Sequence, residues 1–225
     1  MKQYQYLLLD FDNTLMDFTE TERRALCLTF RELFGRILTE GEVSCYNAIN
    51  RGYWEMLERK EVTKEQLKEG RMRDFAKELG ITEDVDTETI NRVYMEYLAR
   101  TVVEYPASFE VCKRLSNRYV LYIITNGTAF VQHGRMKGAS FRPYIRKMFI
   151  SDEIGVNKPA PEFFDAVLSE TGDEDRSHYL VIGDSLTSDI RFGKNVNVDT
   201  CYVGTGDNPA TYQIADISKL PDLLL

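Results

Sequence analysis

The sequence predicts an α/β fold, with a doubly wound, mostly parallel Rossmann-like sheet and an inserted all-helical unit. In residues 101–225, short β-rich runs alternate with helical stretches. Each run is apolar on successive positions, which is typical of parallel strands covered on both faces. Residues 18–100 show no convincing strand pattern. We therefore expect a core of residues 1–17 and 101–225, interrupted after its first strand by helices over residues 18–100.

The apolar runs define the strands of this sheet. Alternation of strands and helices predicts right-handed crossovers between parallel strands. A short run near the C-terminus adds a possible further strand. The predicted strands cover Tyr4–Leu9, Tyr119–Thr125, Lys147–Ser151, Tyr179–Gly183, Val198–Val203 and, as the possible addition, Gln213–Asp216.

The inserted unit carries signals for helix starts. The segments from Thr39 to Glu42 and from Thr63 to Gln66 both fit the capping box, in which side chains satisfy the first backbone N–H groups of a helix. Apolar residues between Ile90 and Leu98 recur at helical spacing on one face. These patterns predict that the whole insertion is helical.

Composition and charge restrict the classes of partner. The chain has 225 residues and a net charge of −8, so a nucleic acid polymer is not expected as a partner. No apolar run reaches the length of about eighteen residues that predicts a membrane-spanning helix, and the N-terminal run is too short for a signal peptide. The four cysteines are scattered, which argues against zinc and disulfides and favours the cytoplasm. We expect a monomer or a weak homodimer.

The most informative segment is residues 6–14, where an apolar run leads into Asp10 and Asp12. Side chains alternate along a strand, so the two carboxylates would point the same way if the strand continued. Two such charges repel unless a cation lies between them or one carboxyl keeps its proton. The pair indicates a metal site, an acid–base couple or both, and a strand followed by an Asp/Asn-rich turn is the alternative.

Further polar residues follow the other predicted strands. Ligands bind at the carboxyl ends of the strands in an open parallel sheet. At these ends the chain places a hydroxyl, glycine turns, a lysine and more carboxylates, and this joint placement argues against a plain turn at Asp10. The segments concerned are Thr125–Gly127, Gly155–Pro159 and Gly183–Asp189.

In order and spacing, these segments resemble the motifs of the haloacid dehalogenase-like (HAD) hydrolase superfamily. The matching elements are the Asp-x-Asp-x-Thr loop that begins at Asp10, Thr125 at a strand end, Lys158, and the two aspartates of Gly183–Asp189. The resemblance covers essentially the whole chain, and the inserted unit is placed like the helical cap domain of that family.

A finer likeness points to one branch of the superfamily. Asp17-Phe18, Thr125–Gly127, Ser151–Gly155 and Gly183–Ile190 look like the pyrimidine 5′-nucleotidase branch, which dephosphorylates nucleoside monophosphates. The resemblance thus implies a phosphomonoester hydrolase for a small phosphorylated metabolite, a (deoxy)nucleoside monophosphate with a pyrimidine preferred.

The resemblance implies a Mg²⁺-dependent reaction through an aspartyl-phosphate. Asp10 would be the nucleophile. Asp12 would protonate the leaving group and then deprotonate the hydrolytic water, so it would begin protonated, favoured by its carboxylate neighbours. Mg²⁺ suits oxygen ligands in a pocket with excess negative charge. Its ligands would be Asp10, Asp184 and the Asp12 backbone carbonyl, with Asp189 acting through water or as an anchor.

Phosphate binding is expected from Thr125, Asn126, Gly127 and Lys158. The Thr125 hydroxyl would donate to a phosphoryl oxygen. The backbone N–H groups of Asn126 and Gly127 are expected to start a helix, which suits an anion. Lys158 would supply positive charge, although by itself it fits an ordinary surface lysine before a proline-opened helix.

The inserted unit is expected to contact the leaving group. The candidates are Phe18, Arg23, Tyr53 and Trp54, and the aromatic residues Tyr53 and Trp54 fit the interior of the unit equally well. Alternative functions are a sugar-phosphate or phosphoglycolate-type phosphatase, a phosphomutase, a dehalogenase or a non-catalytic binding protein. Asp12 argues against the dehalogenase, and the intact motif positions argue against the binding protein.

Overall fold

The computed structural model describes residues 4–81 and 86–225. The chain forms two compact units: the core unit, up to Thr19 and from Val102 to Leu225, and the helical unit, Glu20–Thr101. These bounds differ by one or two residues from the expected divisions after residues 17 and 100. Residues 1–3 and 82–85 of the expected ranges lie outside the described residues.

The core unit is built on a parallel sheet. Its strands are β1 Tyr6–Leu9, β2 Val120–Thr125, β3 Ile145–Ile150, β4 Tyr179–Gly183, β5 Asp199–Val203 and β6 Tyr212–Ile214. Their order in the sheet is β3-β2-β1-β4-β5-β6, and every pairing is parallel. The predicted doubly wound sheet is confirmed, and its strands have the expected bounds to within two residues. β3 ends one residue early because Ser151 already begins a helix.

Both faces of the sheet are covered, as the continuous apolar runs predict. Leu7 and Leu9 belong to one buried cluster, and Leu8 belongs to a second cluster on the opposite face. All three side chains are fully buried. A strand can be apolar on successive positions only when neither face meets water, so helices must pack on both sides.

The helical unit contains most of α1 Phe18–Phe34, which starts in the core unit, then α2 Glu40–Glu58, α3 Lys64–Glu78 and α4 Thr87–Arg100. Both predicted capping boxes are confirmed. Thr39 Oγ1 accepts from the Glu42 N–H at 3.3 Å, and Thr63 Oγ1 accepts from the Gln66 N–H at 3.2 Å. In the described part of this unit no strand is present, in agreement with the prediction.

A buried polar network joins the helices of this unit. Glu22 Oε1 accepts from Asn50 Nδ2 at 2.7 Å and from the Tyr94 hydroxyl at 2.9 Å. Arg71 Nη1 donates to Asn50 Oδ1 at 2.9 Å, and its guanidinium lies 5.0 Å from the centre of the Tyr94 ring. A carboxylate and a guanidinium can be buried together here because the Asn50 amide bonds both of them, while Tyr94 offers its hydroxyl to one and its ring to the other.

The remaining helices belong to the core unit. They are α5 Ser108–Leu115, α6 Ala129–Gly138, α7 Ser151–Ile154, α8 Phe163–Thr171, α9 Arg191–Asn195 and α10 Leu220–Leu224. Short 3₁₀ turns cover Arg142–Tyr144, Arg176–His178 and Ile217–Lys219, and a π-helical turn covers Leu186–Ile190. None of the described helices is both long and apolar enough to cross a membrane.

The strand order places a crevice at the centre of the sheet. β1 lies between β2 and β4, and the chain connections leave β1 and β4 toward opposite sides. In open α/β sheets this switch point opens a crevice at the carboxyl ends of the strands. The residues that follow β1, β2 and β4 therefore meet at one edge.

Candidate active site

The carboxyl ends of these strands converge on a buried lysine. Asp10 follows β1, and its N–H still donates to the Ile182 carbonyl of β4 at 2.8 Å. Lys158, in the loop between α7 and α8, donates from Nζ to Asp10 Oδ1 at 2.8 Å and to Asp189 Oδ1 at 2.6 Å. The Lys158 side chain is only 1% exposed, so the surface-lysine alternative is wrong.

The ammonium of Lys158 is fully engaged. Besides the two carboxylates it donates to the Ile124 carbonyl at 2.8 Å, and an ammonium has only three hydrogens to donate. Burial alone would lower the pKa of Lys158, but Asp10 and Asp189 outweigh burial and hold the pKa above its usual value. In this arrangement Lys158 orients Asp10 and offsets charge, and a hydrogen bond from Lys158 to a phosphoryl oxygen would require it to release one of these partners.

Two more carboxylates come from the segment after β4. Asp189 lies in the π-helical turn, and its Oδ2 accepts from the Ser185 N–H at 3.1 Å. A Cβ on Gly183 would lie 2.2 Å from that oxygen, so only glycine fits at the end of β4. The Oγ1 atom of Thr14, in the loop after β1, lies 3.4 Å from Asp184 Oδ1. Tertiary folding thus brings the first and last motif segments together.

The three carboxylates form one cluster. Asp10, Asp184 and Asp189 each offer an oxygen atom, and these atoms lie within 4.8 Å of one another. Burial and the charge of Asp189 raise the pKa of Asp10 well above its usual range, against the opposing effect of Lys158. Burial, reinforced by Asp189, raises the pKa of Asp184 to about 7. The carboxyls of Asp10 and Asp184 therefore resist ionisation without an added cation.

This cluster fits a hard divalent cation. A single ammonium cannot balance three ionised carboxylates, so positive charge is missing when all of them are deprotonated. Every ligand atom in the cluster is a carboxylate oxygen, and oxygen ligands favour Mg²⁺ over the metals that prefer histidine or cysteine. The donor set therefore agrees with the expected magnesium site.

Protons and Mg²⁺ should compete for this cluster. Because the pKa of Asp184 is raised in the fold, proton binding stabilises the folded state below about pH 4, and this stabilisation is lost as the pH rises toward 7. We expect a fixed Mg²⁺ concentration, about 100 times its Kd at pH 8, to stabilise the protein by about 2.7 kcal/mol at that pH and by much less near pH 5, where protons weaken Mg²⁺ binding. Thermal melts with Mg²⁺, with EDTA, and with NaCl at matched ionic strength measure this, and equal shifts at both pH values would contradict it.

Asp12 has a different environment from the one expected. One carboxylate oxygen accepts from Arg135 Nη1, and the other accepts from Gln132 Nε2 at 2.8 Å. Besides the carboxylate neighbours that we expected around Asp12, α6 brings the Arg135 guanidinium against it. The surroundings of Asp12 therefore include an ion pair with a buried guanidinium. Arg135 and Gln132 are functional candidates that sequence reasoning missed, although their spacing of three on a helix places them on one face.

The segment after β2 also differs from expectation. The helix begins at Ala129, so Asn126 and Gly127 precede it and do not start it. The Asn126 side chain donates to the Lys158 carbonyl and accepts from the Lys158 N–H, both at 2.8 Å. Thr125 is 1% exposed, and its Oγ1 accepts from the Gly127 N–H at 3.1 Å and from Gln132 Nε2 at 2.8 Å. With both lone pairs occupied, its hydroxyl hydrogen is left for a third partner.

The predicted leaving-group residues lie in different surroundings. Phe18 belongs to the core unit, where its ring packs on the Arg135 guanidinium. Arg23 forms an ion pair with Glu20 at 2.7 Å. The Tyr53 hydroxyl donates to Asp74 at 2.7 Å, and its ring packs so closely on Gly70 of α3 that a Cβ there would clash. The contacts of Tyr53 favour the interior alternative. Trp54 is partly exposed.

Comparisons with known proteins agree with this site. The family model of the haloacid dehalogenase-like hydrolases matches residues 4–197. The pyrimidine 5′-nucleotidase PynA of Streptococcus pneumoniae (strain ATCC BAA-255 / R6) is 30% identical, over 98% of this chain and 95% of that protein. The pyrimidine 5′-nucleotidase YjjG of Escherichia coli (strain K12) is 27% identical, over 99% of this chain and 98% of that protein.

A solved structure is similar over the entire fold. The crystal structure of YfnB, a HAD-hydrolase of Bacillus subtilis bound to magnesium, aligns with a TM-score of 0.91 and 30% identity, covering 99% of each chain. The parallel sheet of this chain, its carboxylate-rich edge and the family match over residues 4–197 lead to one conclusion. The chain belongs to the haloacid dehalogenase-like hydrolase family.

Proposed function

We propose that this phosphatase is a Mg²⁺-dependent phosphomonoester hydrolase that works through an aspartyl-phosphate on Asp10. The observation that carries the proposal is that Asp10 and Asp12, two residues apart in the chain, have different hydrogen-bond partners. Asp10 is buried and held through one oxygen by Lys158, whereas Asp12 is held by Gln132 and Arg135. Two carboxylates in such different environments can perform different tasks.

Asp10 attacks phosphorus in the first step. A bond forms between its free carboxylate oxygen and phosphorus, the bond from phosphorus to the ester oxygen breaks, and Asp12 transfers a proton to the departing oxygen. In the second step Asp12 takes a proton from water, the water oxygen forms a bond to phosphorus, and the bond between phosphorus and the Asp10 oxygen breaks. Inorganic phosphate leaves and Asp10 is restored.

The remaining motif residues bind and neutralise the phosphoryl group. The Thr125 hydroxyl is available to donate to a phosphoryl oxygen, and the Asn126 N–H is the second candidate donor. Gly127 would first have to release Thr125. Mg²⁺ would be held by Asp10, Asp184 and the Asp12 backbone carbonyl, with Asp189 acting through water or as an anchor. When bound, it supplies charge neutralisation for the phosphoryl group.

For the substrate, we propose a (deoxy)nucleoside monophosphate with a pyrimidine preferred. Two relatives that span nearly the whole chain, PynA and YjjG, carry the name pyrimidine 5′-nucleotidase. A sugar-phosphate or phosphoglycolate-type phosphatase is the alternative, and a phosphomutase would share the first step. Arg23 and Trp54 stay our candidates for contacts with the leaving group.

The net charge and the cysteines of the chain support proposals about its partners and its location. The net charge of −8 disfavours nucleic acid polymers, and we propose small phosphorylated metabolites as partners and a monomer or weak homodimer as the assembly. The four cysteines are free, in agreement with reduced thiols and a proposed cytoplasmic location. We propose no membrane partner.

A phosphate-release screen tests the function. We expect EDTA-treated protein to be inactive and Mg²⁺ to restore release of inorganic phosphate, faster from pyrimidine nucleoside monophosphates than from purine ones, sugar phosphates or phosphoglycolate. The physical reason for the dependence on Mg²⁺ is the excess of negative charge at the cluster of Asp10, Asp184 and Asp189. Full activity in EDTA would overturn the metal dependence. Preference for a sugar phosphate would overturn the nucleotidase proposal while leaving the phosphatase intact.

A further inference from the structure

Arg135 is a cation buried in the core unit. None of its side chain is exposed, and the guanidinium lies between two aromatic rings, 5.0 Å from the centre of the Phe11 ring and 5.1 Å from that of Phe18. Removing a charge from water is costly unless the charge is paired. The aromatic faces provide part of that compensation, and the rest must come from its polar partners.

The polar partners of Arg135 are Asp12 itself and Gln132, which also bonds Asp12. Arg135 Nη1 donates to Asp12 Oδ1 and, at 3.0 Å, to Gln132 Oε1. The Gln132 amide then donates through Nε2 to Asp12 Oδ2 and to Thr125 Oγ1, both at 2.8 Å. Each oxygen of Asp12 therefore has its own donor, and the carboxylate plane is held from two sides.

The hydrogen bonding of Arg135 favours a role at Asp12 over a purely structural one. Among the described residues, its Nε and Nη2 find no hydrogen-bond partner. A guanidinium retained only to join parts of the fold would be expected to use more of its five donors, because each buried unsatisfied donor costs about 1–3 kcal/mol. The site tolerates that cost while keeping Nη1 on Asp12, whose side chain is still 26% exposed.

The backbone at Gly127 leaves room for the Gln132 side chain. A Cβ on Gly127 would lie 2.2 Å from Gln132 Nε2, so the glycine allows the amide to reach between Asp12 and Thr125. One amide thereby joins the carboxylate proposed as acid and base to the hydroxyl proposed to bind phosphate. Their relative placement is set by α6.

We infer that Arg135, acting with Gln132, is a positioning residue that directs the Asp12 carboxyl at the leaving-group oxygen. This inference rests on the proposed function, in which Asp12 transfers the proton. Gln132 also directs the Thr125 hydrogen away from α6, because Thr125 accepts from Gln132 and from the Gly127 N–H. Arg135 itself touches neither substrate nor phosphorus in this scheme.

The inference predicts a dependence on the leaving group. Proton transfer matters most when the departing alcohol is a poor leaving group, such as the sugar of a nucleotide, and least for an acidic phenol. Loss of a positioned general acid typically costs about 10²–10⁴-fold. We expect Arg135→Met to lower kcat/KM by about 10²–10³-fold for a nucleoside monophosphate and by less than about 5-fold for p-nitrophenyl phosphate.

The experiment compares variants over a series of substituted phenyl phosphates and uridine monophosphate. Methionine suits the space between the two rings because it is flexible and apolar. Arg135→Lys keeps the charge but not the planar fork and should recover part of the loss. Gln132→Leu leaves the buried cation in place and should give the same leaving-group dependence, which provides the test if Arg135→Met does not fold. Arg146→Met, at an exposed position of β3, is the control for loss of a positive charge.

The outcomes are separable. A steeper loss with poorer leaving groups in Arg135→Met or Gln132→Leu supports the inference. An equal loss for all leaving groups, or no loss, overturns it and assigns Arg135 to the stability of the fold. If the unaltered protein releases no phosphate from any of these esters, the proposed function has failed, and that result is distinct from a flat response in an active enzyme.

Discussion

Replacement of Asp10 by asparagine should lower turnover by about 10⁴-fold or more, as expected when a covalent nucleophile is removed. The amide has the same shape as the carboxylate but no nucleophilic oxygen anion. Lys158 would keep its contacts with Asp189 and the Ile124 carbonyl, so the pocket should retain its geometry. Phosphate release under saturating substrate and Mg²⁺ measures the effect.

The fold of this variant should survive. Asp10 lies within a repelling cluster, where burial and Asp189 raise its pKa, so a neutral amide removes repulsion as well as attraction. A thermal melt in EDTA checks that the protein is folded. Asp222→Asn, at an exposed position in α10, is the matched control and should keep full activity. Residual activity within about tenfold of the unaltered protein would place the nucleophile elsewhere.

Replacement of Lys158 by methionine should destabilise the protein and abolish most activity. Removing one partner of a buried ion pair typically costs about 3–5 kcal/mol, because the remaining charges stay buried without compensation. Here Asp10 and Asp189 would lose their shared ammonium. The nucleophile would also lose the contact that orients it, so we expect kcat to fall by about 10²-fold or more.

The destabilisation should depend on pH in a defined direction. The pKa of Asp10 is raised in the fold and that of Asp184 is raised to about 7, so both carboxyls tend to be neutral at low pH and to ionise as the pH rises. Proton binding stabilises the fold at low pH, and this contribution is lost toward pH 7 and above. The cost of Lys158→Met should therefore be small near pH 5 and largest near pH 8 in EDTA.

Urea unfolding at the two pH values measures this cost. Lys147→Met is the matched control, because Lys147 pairs with Glu170 at 2.7 Å but its side chain is 49% exposed. Exposed pairs contribute about 0–1 kcal/mol, so the control should change the free energy of unfolding little at either pH. If the free energy of unfolding fell equally in both lysine variants, the buried charge cluster would not be important for the stability of the fold.

Much of the core unit is predictable from the sequence because its strands are buried on both faces. Leu7, Leu8 and Leu9 can only be apolar together if helices cover both sides of β1. The start of a helix is equally local. Thr39 and Glu42 satisfy N–H groups within three residues of themselves, so their capping box is visible in the sequence and present in the structure.

The errors occur where distant segments meet. The surroundings of Asp12 could not be inferred from its neighbours in the chain, since Arg135 is 123 residues away and nothing local distinguishes it from a surface arginine on a helix. α6 starts only at Ala129, and before it the Gly127 N–H donates to Thr125 while the Asn126 side chain accepts from the Lys158 N–H. Lys158, in turn, is a surface residue by local pattern and a buried one by tertiary contact.

The sequence alone determined the parallel sheet, the helical insertion and the identity of the carboxylates at the strand ends, because these depend on short periodic patterns and on residue types. The family came from the resemblance of the motifs to those of known proteins. Tertiary structure alone decided which cation faces which carboxylate: Lys158 for Asp10 and Arg135 for Asp12. Charge interactions depend on distance and burial in space, and neither quantity is contained in spacing along the chain.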